Sequence, residues 1–256
     1  MLELAGERPR FGFPRIHVLL GREGLVFNHK RIHRLYCEEK LQIRGRRRRR
    51  KGAAAAPRQA MPVPDRPHRR WSMDFVHDSL TDGRSFRTLN VVDDHSRTCV
   101  AIEADFSLPG ERVGRVLDQA ASRLGWPECI VVDNGPEFTG KALDQWAWER
   151  SVRLHFIDPG KPVQNAFVES FNGKFREECL SQNWFRSLEH ARREIASWRQ
   201  DYNHVRPHKS LGWRTPAEVE RAASFPPGRP PGFTISIGEG SDQKSLSSQQ
   251  PEMPSL

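Results

Sequence analysis

Residues 129–133 read CIVVD, four consecutive apolar residues closed by an aspartate. A strand with one wet face alternates apolar and polar residues. One that is apolar at every position has to be covered on both faces. Such a strand belongs inside a sheet with helices on either side, so this stretch directs the chain toward a layered α/β fold. Its flanks agree. Ahead of it, LPGERVGRVLDQAASRLG places Val113, Val116, Leu117 and Ala120 at helical spacing; behind it, GKALDQWAWERS reads as a helix and VRLHFI as another strand. Upstream, Trp71, Met73 and Phe75 alternate with Ser72, Asp74 and Val76, the period of a strand. SFRTLNVVDDHS and RTCVAIEAD continue as two more strands, with turns near Asp82-Gly83 and His95-Ser96. An antiparallel meander of three strands followed by alternating helix and strand makes a mixed five-stranded sheet flanked by helices.

Around that body, spanning 68–182, the chain divides by composition. Residues 10–43 read as a small helical, helix-turn-helix-like DNA-binding domain: Pro14 opens one helix that stops at Gly24, Asn28 caps a second, and Ile32, Leu35 and Tyr36 share a face. Residues 44–67 are a basic linker containing Arg46, Arg47, Arg48, Arg49, Arg50 and Lys51, suited to clamping phosphates. The extension 183–223 holds a helix capped by Ser187 and a capping box at Thr215 and Glu218. Residues 224–256, rich in Pro, Gly, Ser and Gln, are expected to be disordered. Residues 1–70 carry 19 Lys/Arg against 6 Asp/Glu, a net +13, while the other 186 residues are net −4. A basic arm on a slightly acidic body fits a polyanionic partner, most simply nucleic acid. No apolar run approaches the roughly 20 residues of a membrane span, and MLELAGERPR has no apolar signal core. Cys37, Cys99, Cys129 and Cys179 are scattered without a CxxC pair, as expected of reduced thiols in a cytoplasmic protein.

Three acids stand out by their combination: alone, Asp74 would more often be structural and Glu169 a surface charge. Asp74 is mid-strand and projects away from Trp71, Met73 and Phe75. Asp133 ends the apolar strand, where ligands of open α/β sheets bind, with Asn134-Gly135 supplying a tight turn. Glu169 lies in KPVQNAFVESFNGKFRE, where Asn165, Glu169, Asn172 and Arg176 share one helical face. Three carboxylates from two strands and a helix suit hard divalent cations, and two such ions about 3.5–4 Å apart serve phosphoryl transfer.

At these residues the chain resembles DDE transposases with a retroviral-integrase-like core, and most nearly the OrfB transposases of the bacterial insertion-sequence family numbered three. WSMDFV, NVVDDHSR, VVDNGPEFTG, PGKPVQNAFVESFNGKFREECL and DYNHVRPHKSLGWRTPAE carry the likeness, as does RFGFPRIHVLLGREGLVFNHKRIHRLYCEE before the core. It covers about residues 10–223. The resemblance implies an RNase H-like fold, with Asp74, Asp133 and Glu169 as catalytic residues holding two Mg2+ ions, for which Mn2+ can substitute. It implies cleavage at the element ends followed by strand transfer. It also implies that Lys161, Gln164, Asn165, Asn172, Lys174 and Arg176 contact DNA near the cleaved phosphate, with Arg31 and Arg34 binding DNA from the helical domain. The implied partners are DNA ends and target, further copies of the chain, and the upstream-frame OrfA protein, in a bacterial cytoplasm at the nucleoid, with no membrane involved. Relatives carry more chain ahead of the helical domain, so the expected status is an N-terminally shortened copy with an intact triad.

Two other classes compete. A catalytically inactive, truncated remnant would bind DNA without cleaving it. A plain RNase H-like nuclease would need neither the helical arm nor VRPHKSLGWRTPAE. Asp93, Asp94 and His95 are expected to cap a turn and a strand end. His29 and His33 are four apart but lack a second cysteine beyond Cys37, so a zinc site is rejected. His204 and His208 are expected to pack or to touch phosphate.

Overall fold

The computed structural model describes residues 1–43, 61–135, 138–158 and 162–224. The expected linker run Arg46–Lys51, residue Lys161 and the tail from 225 lie outside them. Strands β1 (Arg70–Ser79), β2 (Ser85–Asp93), β3 (Cys99–Asp105), β4 (Cys129–Val132) and β5 (Arg153–Phe156) form one mixed sheet in the order β3-β2-β1-β4-β5. β1, β2 and β3 pair antiparallel, while β4 joins β1 and β5 joins β4 in parallel. The β1–β2 turn closes at Gly83, whose φ of +85° is open to glycine at no steric cost.

The alternation in β1 feeds two cores. Trp71 and Met73 face a layer made by helices α4 (Gly110–Leu124) and α5 (Lys141–Glu149), together with Leu89, Val91, Ile130 and Val132. Gly114 lets α4 approach α5: a Cβ there would lie 2.8 Å from Cδ1 of Trp146. Val76 faces the other layer, where helices α6 (Ala166–Glu178) and α7 (Leu188–His204) bury Phe171, Phe175, Ile195 and Tyr202. The apolar run of β4 is buried throughout.

Before the sheet come α1 (Leu2–Glu7), α2 (Phe13–Arg22) and α3 (His29–Glu38), and after it α8 (Pro216–Ser224). The second and third are the two expected helices, and the Asn28 side chain accepts from Lys30 N at 2.9 Å. α1 was not expected: it is six residues long and buries none of them fully, with Leu4 and Ala5 only partly covered. Phe11, Ile16, Leu19, Leu20, Ile32 and Tyr36 form a third core of their own. These helices dock on the chain's far end. Arg22 donates to Val205 O, Trp213 O and Glu218, and Arg8 pairs with Asp201 at 2.5 Å. Met1–Ser224 thus form one compact unit. Ser187 caps α7, and Thr215 and Glu218 exchange the two bonds of a capping box.

Asp93 and Asp94 sit at the end of β2, fully buried. Asp93 accepts from His68 N and from Ser96 N and Oγ; Asp94 accepts from Ser72 Oγ and Arg70 Nε. They lock the corner where the chain enters the sheet. His208 is packed edge-on against Tyr202, and burial beside Arg206 pushes its pKa down to about 3, so it is neutral. His33 lies against the Phe13 ring. Cys99, Cys129 and Cys179 are buried thiols. Among the described residues, no helix is long and apolar enough to cross a membrane.

Candidate active site

Two registers bring the acids together. The parallel pairing of β1 with β4 sets Arg70 opposite Cys129, Trp71 opposite Ile130 and Ser72 opposite Val131. Carried two residues further, the same register sets Asp133 level with Asp74. In the antiparallel hairpin Asp74 lies opposite Asn90, and partners across a ladder share a face. α6 crosses that face and delivers Glu169 in its first turn.

Asp74 is the most constrained of the three. Its Oδ1 accepts from Phe75 N at 2.8 Å and its Oδ2 from Asn172 Nδ2 at 2.8 Å. Asn172 is held in turn, accepting from Asn90 Nδ2 at 2.7 Å. Burial, with Asp133 and Glu169 nearby, pushes the Asp74 pKa up to about 6 against the two hydrogen bonds that oppose the shift. Glu169 is more exposed, and its partial burial also raises its pKa. Asp133 accepts from Gly135 N at 3.0 Å, while Asn134 is turned away to Ile157 O. The tight turn therefore separates the two side chains as the sequence implied.

Among the described residues, no three His, Cys, Asp or Glu side chains are drawn tightly enough together to hold an ion as they stand. The donor set is all oxygen, with Asp74 and Asp133 half-buried, and the Asp74 pKa is raised by burial and, less strongly, by the other two acids. A hard divalent cation fits that chemistry, since it offsets the like charge directly.

The other expected site residues separate by helical phase. Arg176 follows the acid face and reaches His77 O at 3.4 Å. Asn165 and Asn172 are on that face but buried, with Asn165 directed at Met73 O. Gln164 is folded back on Asp158, exchanging two hydrogen bonds with it. Lys174 lies on a different face, bonded to Ser170. Arg31 and Arg34 are exposed on α3, one over the Phe27 ring and the other beside Glu38. Asn90 was not singled out from the sequence. Asp74 and Asn90 lie eight residues either side of Asp82, so the turn position already implied their pairing.

Residues 64–162 match the family described as an integrase core domain, 150–216 match a second integrase core domain family, and 3–51 match an HTH-like domain. The chain is 51% identical over 218 residues to an uncharacterized 31.7 kDa protein of insertion element IS407 from Burkholderia multivorans, covering 85% of this chain and 78% of that one. It is 46% identical over 218 residues to a 39.2 kDa protein of insertion element IS476 from Xanthomonas euvesicatoria, covering 85% of this chain and 62% of that one. A transposase of insertion sequence element IS904 from Lactococcus lactis is 24% identical over 223 residues, covering 83% and 88%. Among solved structures, the simian T-cell lymphotropic virus intasome with PP2A regulatory subunit B56 gamma matches at a TM-score of 0.59 and 17% identity, covering 93% of this chain and 80% of that one. The likeness to the intasome chain is one of fold, the RNase H-like α/β arrangement.

Proposed function

This chain belongs to the OrfB-type DDE transposases of the IS3 insertion-sequence family, and we propose that Asp74, Asp133 and Glu169 are the carboxylates with which it cleaves element ends and transfers strands. One observation carries the assignment. A half-buried mid-strand aspartate faces two further acids, delivered by a neighbouring strand and a crossing helix, and is aimed by an amide dyad. The remnant alternative has no observation in its favour.

Asp74, Asp133 and Glu169 would hold the divalent cofactor, two Mg2+ with Mn2+ able to replace them. When bound it activates the attacking oxygen and steadies the leaving one. The chain's own groups fix the geometry: Asn172 and Phe75 N orient Asp74, and the Asn134-Gly135 turn presents Asp133. In the first step a water oxygen attacks a phosphorus at the element end, and the P–O3′ bond breaks to leave a 3′-hydroxyl. In the second, that hydroxyl attacks a target phosphodiester, and the target's own 3′ oxygen departs. Each step exchanges one P–O bond for another and needs no covalent protein–DNA link.

Arg176 beside the acids, Arg31 and Arg34 on α3, and Lys161 with Arg46–Lys51 beyond the described residues are the proposed DNA contacts. Two ends must be handled at once, so the active form is a multimer of this chain, joined by the OrfA protein for end recognition and working at the bacterial nucleoid. The test is joining of a precut end bearing a 3′-hydroxyl to supercoiled target in Mg2+. Wild type joins; Asp74→Ala, Asp133→Ala and Glu169→Gln each bind DNA but do not join. Substantial joining by any one variant removes that residue from the triad.

A further inference from the structure

α6 carries a second polar stripe, out of phase with the one that bears Glu169. Ser170 and Lys174 line a cavity of 250 Å3, walled by Arg97 from the β2–β3 turn and by Tyr202, His208 and Ser210. Among the described residues, no acidic side chain lines it. The Lys174 ammonium donates to Ser170 O at 2.9 Å and Ser170 Oγ at 2.7 Å, and no carboxylate among the described residues pairs with it. Burial, with Arg206, Arg15 and Arg97 nearby, pushes its pKa down to about 8, and only Glu178 opposes them. Glu178 is itself committed, accepting from Arg206 at 2.6 and 2.5 Å. Arg97 lies 3.7 Å over the Phe167 ring and donates to Asp94 O. His208, being neutral, adds no charge.

The cavity thus holds a half-buried cation, a guanidinium at its wall, two serine hydroxyls and, among the described residues, no anion. An unpaired buried charge is costly, and the group that would relieve it is a compact anion with several acceptor oxygens. We propose that this cavity is a phosphate subsite that takes a backbone phosphate of DNA passing α6, with Lys174 as the charge and Ser170 and Ser210 as hydroxyl donors. Lys174 follows Glu169 by five residues, about 7.5 Å along the helix axis, so one strand can touch both stripes. The phosphate chemistry stands on the cavity alone; DNA as its source rests on the transposase reading.

The test uses the full chain and Lys174→Met, which keeps the stem and removes the charge. Inorganic phosphate is expected to raise the melting temperature of wild type above a chloride control of equal ionic strength, and not that of the variant. With a labelled DNA duplex in EDTA, the slope of log affinity against log salt is expected to fall by about one. If the variant keeps both the phosphate response and the slope, the subsite is overturned. Loss of the phosphate response with an unchanged slope overturns the DNA assignment in favour of a free phosphate ligand. Should Lys174→Met fail to fold, Ser210→Asp on the exposed rim sets a carboxylate beside the amine and must cause the same two losses. Failure here with strand transfer intact condemns only the subsite. A phosphate response in a chain that joins no DNA condemns only the transposase reading.

Discussion

Replacing Asn172 by leucine breaks the amide dyad at its centre, and the structure sets the scale of the damage. Asp74 Oδ2 loses its side-chain donor, a bond to a charged acceptor worth about 1.5–3 kcal/mol. Asn90 Nδ2 loses its acceptor in a fully buried position where Asn90 Oδ1 already has no partner. A wholly unsatisfied amide is left behind, at a cost of about 1–3 kcal/mol. The leucine returns about 1–2 kcal/mol through apolar burial, leaving a net loss of about 2–4 kcal/mol. Asn90→Leu alone strands only Asn172 Oδ1 and should cost about 1–2 kcal/mol. With both replaced, no amide is stranded, so the double variant should fall short of the summed losses by about 1–2 kcal/mol. Urea unfolding in EDTA measures the cycle, and strand transfer is read on the same proteins. Joining should fail wherever Asn172 is gone, because Asp74 is then free to turn. Additivity within about 0.5 kcal/mol would mean that the two amides do not act as a unit, and the reasoning would fail.

Asp74→Asn should stabilise the metal-free protein at pH 7. The carboxyl titrates at about 6 in the fold against 3.8 as a free side chain. Its contribution to stability is therefore full below pH ~4 and is lost as pH rises through 6, by up to about 3 kcal/mol. Asparagine escapes that loss but cannot satisfy both donors to Asp74, so the expected gain is about 1–2 kcal/mol at neutral pH and none near pH ~4. A variant that melts below wild type in EDTA at pH 7 would show that burying the ionised Asp74 carboxylate beside the other acids costs the fold nothing. Gly114→Ala should lower the urea midpoint by about 1–2 kcal/mol in equivalent stability: overpacking against Trp146 outweighs the gain in helix propensity. The indole cannot swing aside without breaking its 3.0 Å bond to Asp118, and an unchanged midpoint would show that it does.

What was legible in the sequence is what local chemistry writes there. Alternation marked β1, the apolar run marked β4, and Asn28, Ser187 and Thr215–Glu218 marked helix starts, each within a few residues of the group it caps. The acids could be named because each breaks a local pattern: a charge within a strand, a charge at a strand's end, a charge among aromatics. Their surroundings were harder to read. Asn172 meets Asp74 across 98 positions of chain, so nothing near either residue announces the bond. The resemblance implied DNA contacts for Asn165 and Asn172, and helical phase put them on the face of Glu169, but phase does not distinguish a side chain facing solvent from one pressed on a sheet. Lys174 came in only as a DNA contact implied by the resemblance, and five residues of helix turn it away from Glu169. α1 escaped notice because six residues with only Leu4 and Ala5 partly covered are too few to write a period.

α6 is a helix with three occupied sides: Phe171 and Phe175 toward the core, Glu169 and Asn172 toward β1, Ser170 and Lys174 toward the basic cavity. Each residue added or removed within it rotates all that follows by about 100°. Such a change would carry Phe175 out of the core and Asn172 off Asp74 together, with no way to repair one without the other. Substitutions can drift through this segment one position at a time, but its length cannot. As copies of such an element decay, a single-codon insertion between Ala166 and Glu178 should silence one at a stroke, whereas the same insertion between α4 and β4 should pass unnoticed.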